Sequence, residues 1–301
     1  MRAILATGLL VWASSSGVPL GALAPQRCDA MIAPDRGPEV DLRPKFKKGE
    51  EIRFTLNLDS SGKQVVPGTT DQTSSSTSQQ IGLLLRVRDA NPETGASLDL
   101  VYESFKMNVK APTGDVSFDS SKPADKDDPT DQVLRSIVGL TLKVKVNADG
   151  DITSVEGGGD GLAGALAGQF TGADMIKGVF GPVFSVKPGK PKAAVGESWT
   201  TEDVLQGGAA STRVKMTHTL KSVQGSNANI DIKGTVTIDP SSGAMKAAVK
   251  ESSVSGRAVW DIESGMLARL ETDQKLTIET KGDKGSSLST QTMNLRVVRQ
   301  R

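Results

Sequence analysis

The chain has 301 residues, with 36 lysines and arginines against 35 aspartates and glutamates, so its net charge is close to zero. This balance argues against nucleic acid as the main partner, because a protein that neutralises phosphates needs a basic excess. Aromatic residues make up only 4% of the chain, too few to build stacking platforms for single strands. The 32 glycines favour a mainly β protein with many turns.

The first 24 residues have the pattern of an export signal. Met1 and Arg2 give a positive start, residues 3–13 are apolar, and small residues occur at 14–17 and again at 21–24. The apolar stretch is shorter than the ~20 residues that span a membrane. We therefore predict a signal peptide over 1–24, or a cut near 15–17, and an exported protein that is periplasmic or extracellular.

A proline-rich stretch with one cysteine follows the predicted signal. Residues 25–44 contain four prolines and several charges, which predicts a tether. Cys28 is preceded by Pro25-Gln26-Arg27, where a bacterial lipoprotein signal would need small residues. A single thiol forms no internal disulfide, so the fold must be held by its own core. No second uncharged apolar run of spanning length follows, and we expect no membrane span in the mature chain.

Strand signals open the first half of the predicted domain. Residues 51–59 alternate apolar and polar side chains, a turn is expected at 60–63, and 96–109 read as a further strand. The Ser/Thr-rich stretch 69–80 runs without a break into an apolar strand. It is therefore either a linker or the beginning of a long strand with a polar face.

A short helix and a hairpin follow. Pro129 begins the predicted helix and Gly139 ends it. Residues 140–146 and 151–156 predict the clearest hairpin of the chain, which turns at Asp149-Gly150.

Residues 161–180 are the one segment with helical rather than strand spacing. Several glycines lower its helix propensity and suggest that something packs closely on it. Pro182 and the prolines after it should end the helix. We predict that the helix covers the concave face of a sheet, over either a ligand cavity or a filled core. The candidate ligand-binding residues on its apolar face are Leu162, Leu166, Phe170, Ile176 and Phe180.

The second half reads as strands throughout. Residues 211–223 should pair with 228–239, and a long meander should run from 246 to 299. We predict a mainly β fold with one or two short helices: a large curved antiparallel sheet or open barrel. The predicted halves, about 45–158 and 194–301, form a single β-rich domain 45–301 with a helical connection over 159–186. Lysines at alternate positions, such as Lys143 and Lys145, should place one sheet face in water.

A repeated phrase suggests how the chain is built. Gly49-Glu50 opens the first run of strands and Gly196-Glu197 opens the second, each followed by a large apolar residue and alternating sequence. A turn that ends in glycine recurs later in each half, at Gly150 and Gly265. The two halves therefore look like one unit that was duplicated and diverged.

The sharpest motif for a cofactor is weak in its context. Residues 159–164 match the glycine fingerprint of dinucleotide-binding sites. However, the strand before it leaves an antiparallel hairpin, and no second strand with a terminal acid follows. A strand-to-helix joint explains the glycines, and we expect no cofactor.

Candidate metal and catalytic residues are also few. Asn147 to Asp151 and the acids between Asp125 and Asp131 could offer oxygen ligands, but a hairpin turn and a solvated loop explain them. His218 is the only histidine, on a predicted strand without a nucleophile motif nearby. We expect no metal site and no catalytic residues, and predict that the protein is not an enzyme.

Three phrases together resemble one family. Residues 42–50 (LRPKFKKGE), 116–120 (VSFDS) and 195–199 (VGESW) are similar to an uncharacterised family of exported bacterial proteins, a domain of unknown function. The resemblance covers most of residues 42–300 and implies no established catalytic residues.

The sequence supports two hypotheses of function. The first is an exported binding or carrier module that holds an apolar small molecule, a lipid or an envelope protein against the concave sheet face; for a small ligand this rests on analogy with envelope lipid carriers. The alternative is a non-catalytic structural or interaction protein of the cell envelope, with a filled core and exposed strand edges.

Overall fold

The computed structural model describes residues 39–65, 72–157, 173–186, 191–207, 210–239, 246–282 and 285–300. These residues form fourteen strands and two helices. The strands are β1 Glu39–Asp41, β2 Glu51–Val65, β3 Gln72–Asn91, β4 Gly95–Lys110, β5 Val116–Asp119, β6 Thr141–Val146, β7 Ile152–Glu156, β8 Lys192–Ala194, β9 Ser198–Gly207, β10 Ala210–Gln224, β11 Asn227–Asp239, β12 Lys246–Asp261, β13 Met266–Gly282 and β14 Gly285–Arg299. The helices are α1 Pro129–Arg135 and α2 Ala173–Phe184.

Twelve of the strands form one antiparallel sheet. Its order is β7-β6-β4-β3-β2-β14-β13-β12-β11-β10-β9, with β5 paired to the outer part of β4. Strands β1 and β8 form a separate antiparallel pair. Within the described residues the end strands β7 and β9 are not paired with each other, so the sheet is open. The predicted mainly β fold with a large curved antiparallel sheet is confirmed.

The two Gly-Glu phrases make the same turn. The Gly49 N–H donates to Val87 O at 2.9 Å, and the Gly196 N–H donates to Leu220 O at 2.7 Å. In both halves the N–H of the partner residue donates back to the carbonyl of the glutamate, at 2.9 and 3.0 Å. Both glycines have positive φ, +83° and +88°. This shared geometry supports a common origin of the two halves.

The sheet has two unlike faces. On β2, Ile52, Phe54 and Leu56 are buried in the main hydrophobic core, and their face is called the inner face. The opposite, outer face carries the exposed Lys143 and Lys145, as the alternating lysines predicted. Because side chains alternate along a strand, register places every residue on one face or the other.

One end of the sheet, called the closed end, is covered by the chain itself. The segment 42–46 crosses it between two turns of the two halves. The Lys45 N–H donates to Gly265 O at 3.2 Å, and Lys45 Nζ donates to Ile262 O at 2.7 Å. On the other side, a Cβ added to Gly150 would lie 3.1 Å from Pro44 Cγ. Substitution at Gly150 is also disfavoured by its φ of +89°.

The last six residues of the predicted tether belong to the folded part. Glu39–Asp41 pairs with β8, and Leu42 is only 2% exposed. The prediction of a tether over 25–44 is therefore wrong for 39–44. The reason is that Val40 and Leu42 supply apolar side chains to the core, which outweighs the local proline signal.

Helix α2 lies on the inner face, where it packs against β7 and β13. Its end reaches the closed end, where the ring of Phe184 contacts Phe46 edge-on at 6.0 Å. Pro182 lies inside the helix, so the prediction that it ends the helix is wrong by two residues. Its missing N–H falls in the last turn, and the Ser185 N–H still donates to Gly181 O at 2.9 Å.

The turn expected at 60–63 is wrong, because these residues pair with β3 and β2 continues to Val65. The other local predictions named next agree with the structure. Asp128 caps helix α1 by accepting the Thr130 N–H at 2.8 Å, and Gly139 ends the following turn with φ +86°. The predicted hairpin is β6 and β7. Of the two interpretations of 69–80, the strand is correct from Gln72 onward, because β3 pairs with β2 from Gln72 to Arg86. In the described part of the chain, no helix is long and apolar enough to cross a membrane.

Candidate functional site

The described candidate residues of the helix are core residues of the closed end. Ile176 is 0% exposed and Phe180 is 3% exposed, within one continuous cluster that joins the helix to the sheet. The other three candidates, Leu162, Leu166 and Phe170, lie outside the described residues. Neither Ile176 nor Phe180 borders the two cavities described next.

A cavity of about 260 Å³ lies at the opposite end of the sheet, called the open end. It is built where β2, β3, β13 and β14 extend beyond the main core. Its inner-face lining includes Ser60, Gly62, Thr77, Gln274, Gln291 and Met293.

One row of inner-face residues separates this cavity from the core. According to the strand register, the row begins at Trp199 on β9 and His218 on β10. It ends at Met107 on β4 and Phe118 on β5. We call it the boundary row. Its members in order are Trp199, His218, Ile232, Gly256, Thr272, Leu295, Leu58, Gln79, Met107 and Phe118.

The boundary row contains three of the buried polar residues. Gln79, Thr272 and His218 are 6%, 3% and 9% exposed. The row is therefore where the apolar core gives way to a polar surface.

The next row toward the open end forms the floor of the cavity. It consists of Gln274, Met293, Ser60, Thr77 and Val109 on five neighbouring strands. This row therefore combines one amide and two hydroxyl groups with two apolar side chains. Met293 and Val109 remain partly exposed although they pack against the core cluster. This arrangement offers both apolar contact and hydrogen bonds to a bound molecule.

Strand register and side-chain alternation place charge on only one face at this end. Beyond the boundary row, the described inner-face positions of β2, β3, β13 and β14 hold no Asp, Glu, Lys or Arg. Lys63 borders the cavity, but it occupies an outer-face position and is exposed.

The outer face of the same strands is charged. It carries Lys275, which bonds to Glu251 at 2.9 Å, and Asp273, which accepts a bond from Asn294 at 2.8 Å. A depression of about 390 Å³ on this face is lined by Asp59, Asp273 and Lys275 among others. This polar, mixed-charge surface is typical of a solvated face.

His218 is held as a neutral side chain in the boundary row. Its ring stacks on Trp199 with centroids 5.7 Å apart and planes 9° from parallel, and Nε2 lies 3.1 Å from Thr201 Oγ1. Burial lowers the pKa of His218 to about 4. The Trp199 Nε1–H donates to Val186 O at 2.8 Å, just beyond helix α2. The stacked Trp199 and His218 side chains therefore link the end strands β9 and β10 to the residue that follows the end of helix α2.

The acidic motifs serve local structure. Asn147 Oδ1 accepts the N–H groups of Asp149 and Asp151 at 3.0 and 2.8 Å, which closes the hairpin turn. Asp131 bonds to Arg135 at 2.6 Å, and this bond holds the pKa of Asp131 below its usual value. Among the described residues no three His, Cys, Asp or Glu side chains are grouped to hold a metal. The dinucleotide-like fingerprint lies outside the described residues.

Sequence reasoning missed the cavity at the open end. Its signal is present in β3, where residues 72–80 alternate Ser, Thr and Gln without any charge. Such a run reads as a linker or a solvated strand until the partner strands are known. The adjacent apolar residue, Met293, comes from the other end of the chain.

The fold and the cavity define a class of protein: an open curved antiparallel sheet with a helix on its inner face and, at its open end, a cavity whose inner-face lining is uncharged. The chain belongs to a family of unknown function, DUF6263, whose model matches residues 93–286. The expected membership of an uncharacterised family is confirmed. No curated protein matches the chain.

The solved structures that match this chain have low sequence identity to it and low TM-scores. A structure of lipovitellin and its lipid–protein interactions has a TM-score of 0.46 and 9% identity over 85% of this chain. The match covers only 26% of the lipovitellin chain. An outer membrane channel from Pseudomonas putida F1 has a TM-score of 0.21 and 9% identity over 84% of this chain and 97% of that chain. DynF from the dynemicin pathway of Micromonospora chersina has a TM-score of 0.20 and 8% identity over 90% of this chain and 92% of that chain. At these TM-scores the likenesses carry no argument about function.

Proposed function

We propose that this protein is an exported, non-catalytic binding or carrier module for an apolar ligand. The ligand lies against the inner face at the open end of the sheet. One observation carries the proposal: the partly exposed apolar side chains Met293 and Val109 line a cavity directly beside the core, and the inner-face positions around them carry no charge. Water is a poor solvent for such a surface, so covering it with an apolar molecule is favourable.

The open end supports this role better than the closed end does. At the closed end Ile176 and Phe180 already fill the space between helix α2 and the sheet. A ligand there would have to displace the helix and lose its packing. At the open end the inner-face side chains of β2 and β14 keep partial exposure, and binding removes area from water without a competing cost.

Native mass spectrometry of the exported protein in detergent-free buffer tests the proposal directly. We expect a mass above that of the chain, which disappears after denaturation and identifies the ligand class. Because a weakly held ligand can be lost during purification, the protein is also titrated with N-phenylnaphthylamine, a dye that fluoresces in apolar sites. A bare mass together with no dye binding would overturn the proposal.

Adjacent residues on opposite faces provide matched variants for the dye titration. Ser289 lines the cavity, whereas Leu288 is 41% exposed on the outer face. The substitution Ser289→Trp should fill the cavity and weaken dye binding at least about tenfold, because overpacking leaves no room for the ring. Leu288→Trp should leave the affinity for the dye unchanged. Equal loss in both variants would place the dye elsewhere.

The second candidate function is an interaction protein of the cell envelope. The observation that favours it is strand β9, which pairs with β10 on one side and with no other described strand on its free side. A free edge can accept a strand from a partner. A bare mass, no dye binding and capture of an envelope protein through β9 would favour this function over a carrier.

A further inference from the structure

The segregation of charge at the open end restricts which ligand the cavity takes. This inference rests on the proposed function. Outer-face positions of β2 and β13 include Asp59, Lys63, Asp273 and Lys275, whereas inner-face positions beside them are Ser60, Gly62, Gln274 and Leu276. The two faces alternate residue by residue, so the absence of charge is a property of the inner face and not of the strands.

A charged ligand group would find no counter-charge on this surface. Moving an ion from water to a site that offers no charged partner costs free energy, and this cost weakens the binding of the ligand. Lys63 borders the cavity, but it occupies an outer-face position of its strand and is exposed, so it places no charge on the inner face against which we propose that the ligand lies. The head group of a ligand held against the inner face must therefore be uncharged.

The lining also indicates that the ligand carries hydrogen-bonding groups. Gln274 and Gln291 line the cavity from neighbouring strands, and Gln64 lines it from β2. Amides both donate and accept, so they match hydroxyl and ester groups. A pure hydrocarbon would leave these amides unpaired at a cost.

The volume of the cavity favours a small molecule or one end of a larger one. About 260 Å³ lies just below the ~300–1,000 Å³ of usual ligand sites. Apolar floor residues such as Met293 and Val109 can contact a chain, while the glutamines meet its polar end.

We propose that the cavity binds an uncharged amphiphile with a hydroxyl-bearing head group, such as an acylglycerol, and discriminates against ionic amphiphiles. The observations that carry this are the charge-free inner face and the three glutamines around the cavity.

The test compares ligands with one tail and different heads. Displacement of N-phenylnaphthylamine is measured with monooleoylglycerol, monooleoylglycerol phosphate and oleyltrimethylammonium, each below its critical micelle concentration. We expect the neutral lipid to bind at least about tenfold more tightly than either ion, because the ions bring an unpaired charge to the site. Equal or tighter binding of an ionic lipid overturns this inference but leaves the carrier proposal standing. No binding of the dye or of any lipid overturns the carrier proposal itself.

A charge placed in the lining should reverse the preference. Gln291→Lys lies in the cavity lining, and Leu288→Lys places the same charge on the outer face beside Glu279 as a matched control. Gln291→Lys should weaken monooleoylglycerol and strengthen the phosphate lipid, each by about tenfold, whereas Leu288→Lys should change neither ratio. An unchanged preference in Gln291→Lys, with dye binding retained, would show that the head group does not contact this surface and would overturn the inference.

Discussion

The two ends of the same strands differ more than the two halves of the chain do. At the closed end the inner face of β2 carries Ile52, Phe54 and Leu56, all buried. At the open end the same face of the same strand carries Ser60 and Gly62, both partly exposed. The backbone ladder continues unchanged through both regions. The difference therefore comes from side chains alone.

This difference separates the part of the sheet that stabilises the fold from the part where we propose that the ligand binds. The closed end concentrates the core, helix α2 and the crossing segment 42–46, so most apolar area is removed from water there. Hydrophobic burial is the main favourable contribution to folding. The open end contributes its backbone hydrogen bonds but little core, which leaves its inner face free to bind. A site built on strands whose other ends are firmly packed is also held in a defined geometry.

The largest expected difference between the ends is in cavity-forming substitutions. Phe180→Ala should lower the free energy of unfolding by about 3–5 kcal/mol, because it empties a fully packed position at the closed end. Met293→Ala should lower it by only about 1 kcal/mol, because Met293 is already partly exposed. Urea denaturation followed by tryptophan fluorescence measures both. Phe180→Leu provides a milder variant in case Phe180→Ala does not fold.

The same two variants also test the candidate residues of the helix. If Ile176 and Phe180 are plain core, Phe180→Leu keeps its affinity for N-phenylnaphthylamine and Met293→Ala loses part of it. The opposite result would return the ligand site to the helix, beside Leu162, Leu166 and Phe170. Equal stability losses in Phe180→Ala and Met293→Ala would contradict the contrast between the ends.

The boundary row gives the next largest expected effect, through His218. Its pKa falls from the ordinary 6.5 to about 4 in the folded protein because of burial, so the unfolded chain binds the proton more tightly. Stability should therefore be fully present above about pH 6.5 and be lost as the pH falls toward 4. Between pH 6.5 and 4.5 the loss should be about 2 kcal/mol.

His218→Gln is the matched variant, since glutamine does not titrate and can still bond to Thr201. Urea midpoints at several pH values should fall more steeply in the native protein than in the variant across this window. Parallel profiles would mean that water reaches the ring, and that the boundary row is not closed between β9 and β10.

The sequence predicted the closed end well because its signals are local. Alternation at Ile52, Phe54 and Leu56, the Gly-Glu turns and the cap of helix α1 each depend on residues a few positions apart. These signals also indicate the mainly β class and the turns at Gly150 and Gly265, whereas the turn expected at 60–63 is part of β2. The helix was recognised by its spacing, although its end was misplaced at Pro182 because a proline is tolerated in a last turn.

The open end could not be predicted in the same way. Ser60 and Met293 lie in one row only because β2, the first strand of one half, pairs with β14, the last of the other. No local pattern encodes that pairing. The missing charge on the inner face is likewise visible only after register assigns each residue to a face. The folding of 39–44 had the same cause, since β1 pairs with the distant β8.

The smallest expected difference in stability is between two ion pairs, one at the closed end and one on the outer face of the sheet. Arg299 and Asp261 meet at 2.6 Å at the closed end with side chains 23% and 18% exposed, whereas Lys275 and Glu251 are 46% and 53% exposed. Burial raises the pKa of Asp261, but hydrogen bonds from Arg299 and Ser264 outweigh it and hold the pKa below its usual value.

Asp261→Asn should therefore cost about 1–2 kcal/mol of unfolding free energy at pH 7, and Glu251→Gln less than about 0.5 kcal/mol. Asparagine keeps the turn bonds that Asp261 Oδ1 accepts from the N–H groups of Glu263 and Ser264. Its amide NH2 group cannot accept the bonds that Oδ2 receives from Ser264 Oγ and Arg299, so the substitution removes the charge and these two bonds together. The cost of Asp261→Asn should persist in high salt, because a half-buried pair is poorly screened, and should shrink as the pH falls through the aspartate range. Thermal unfolding of both variants with and without salt measures this. If salt removed both costs equally, the crossing segment and its turns would be as solvated as the outer face, and the closed end would owe its stability to apolar packing alone.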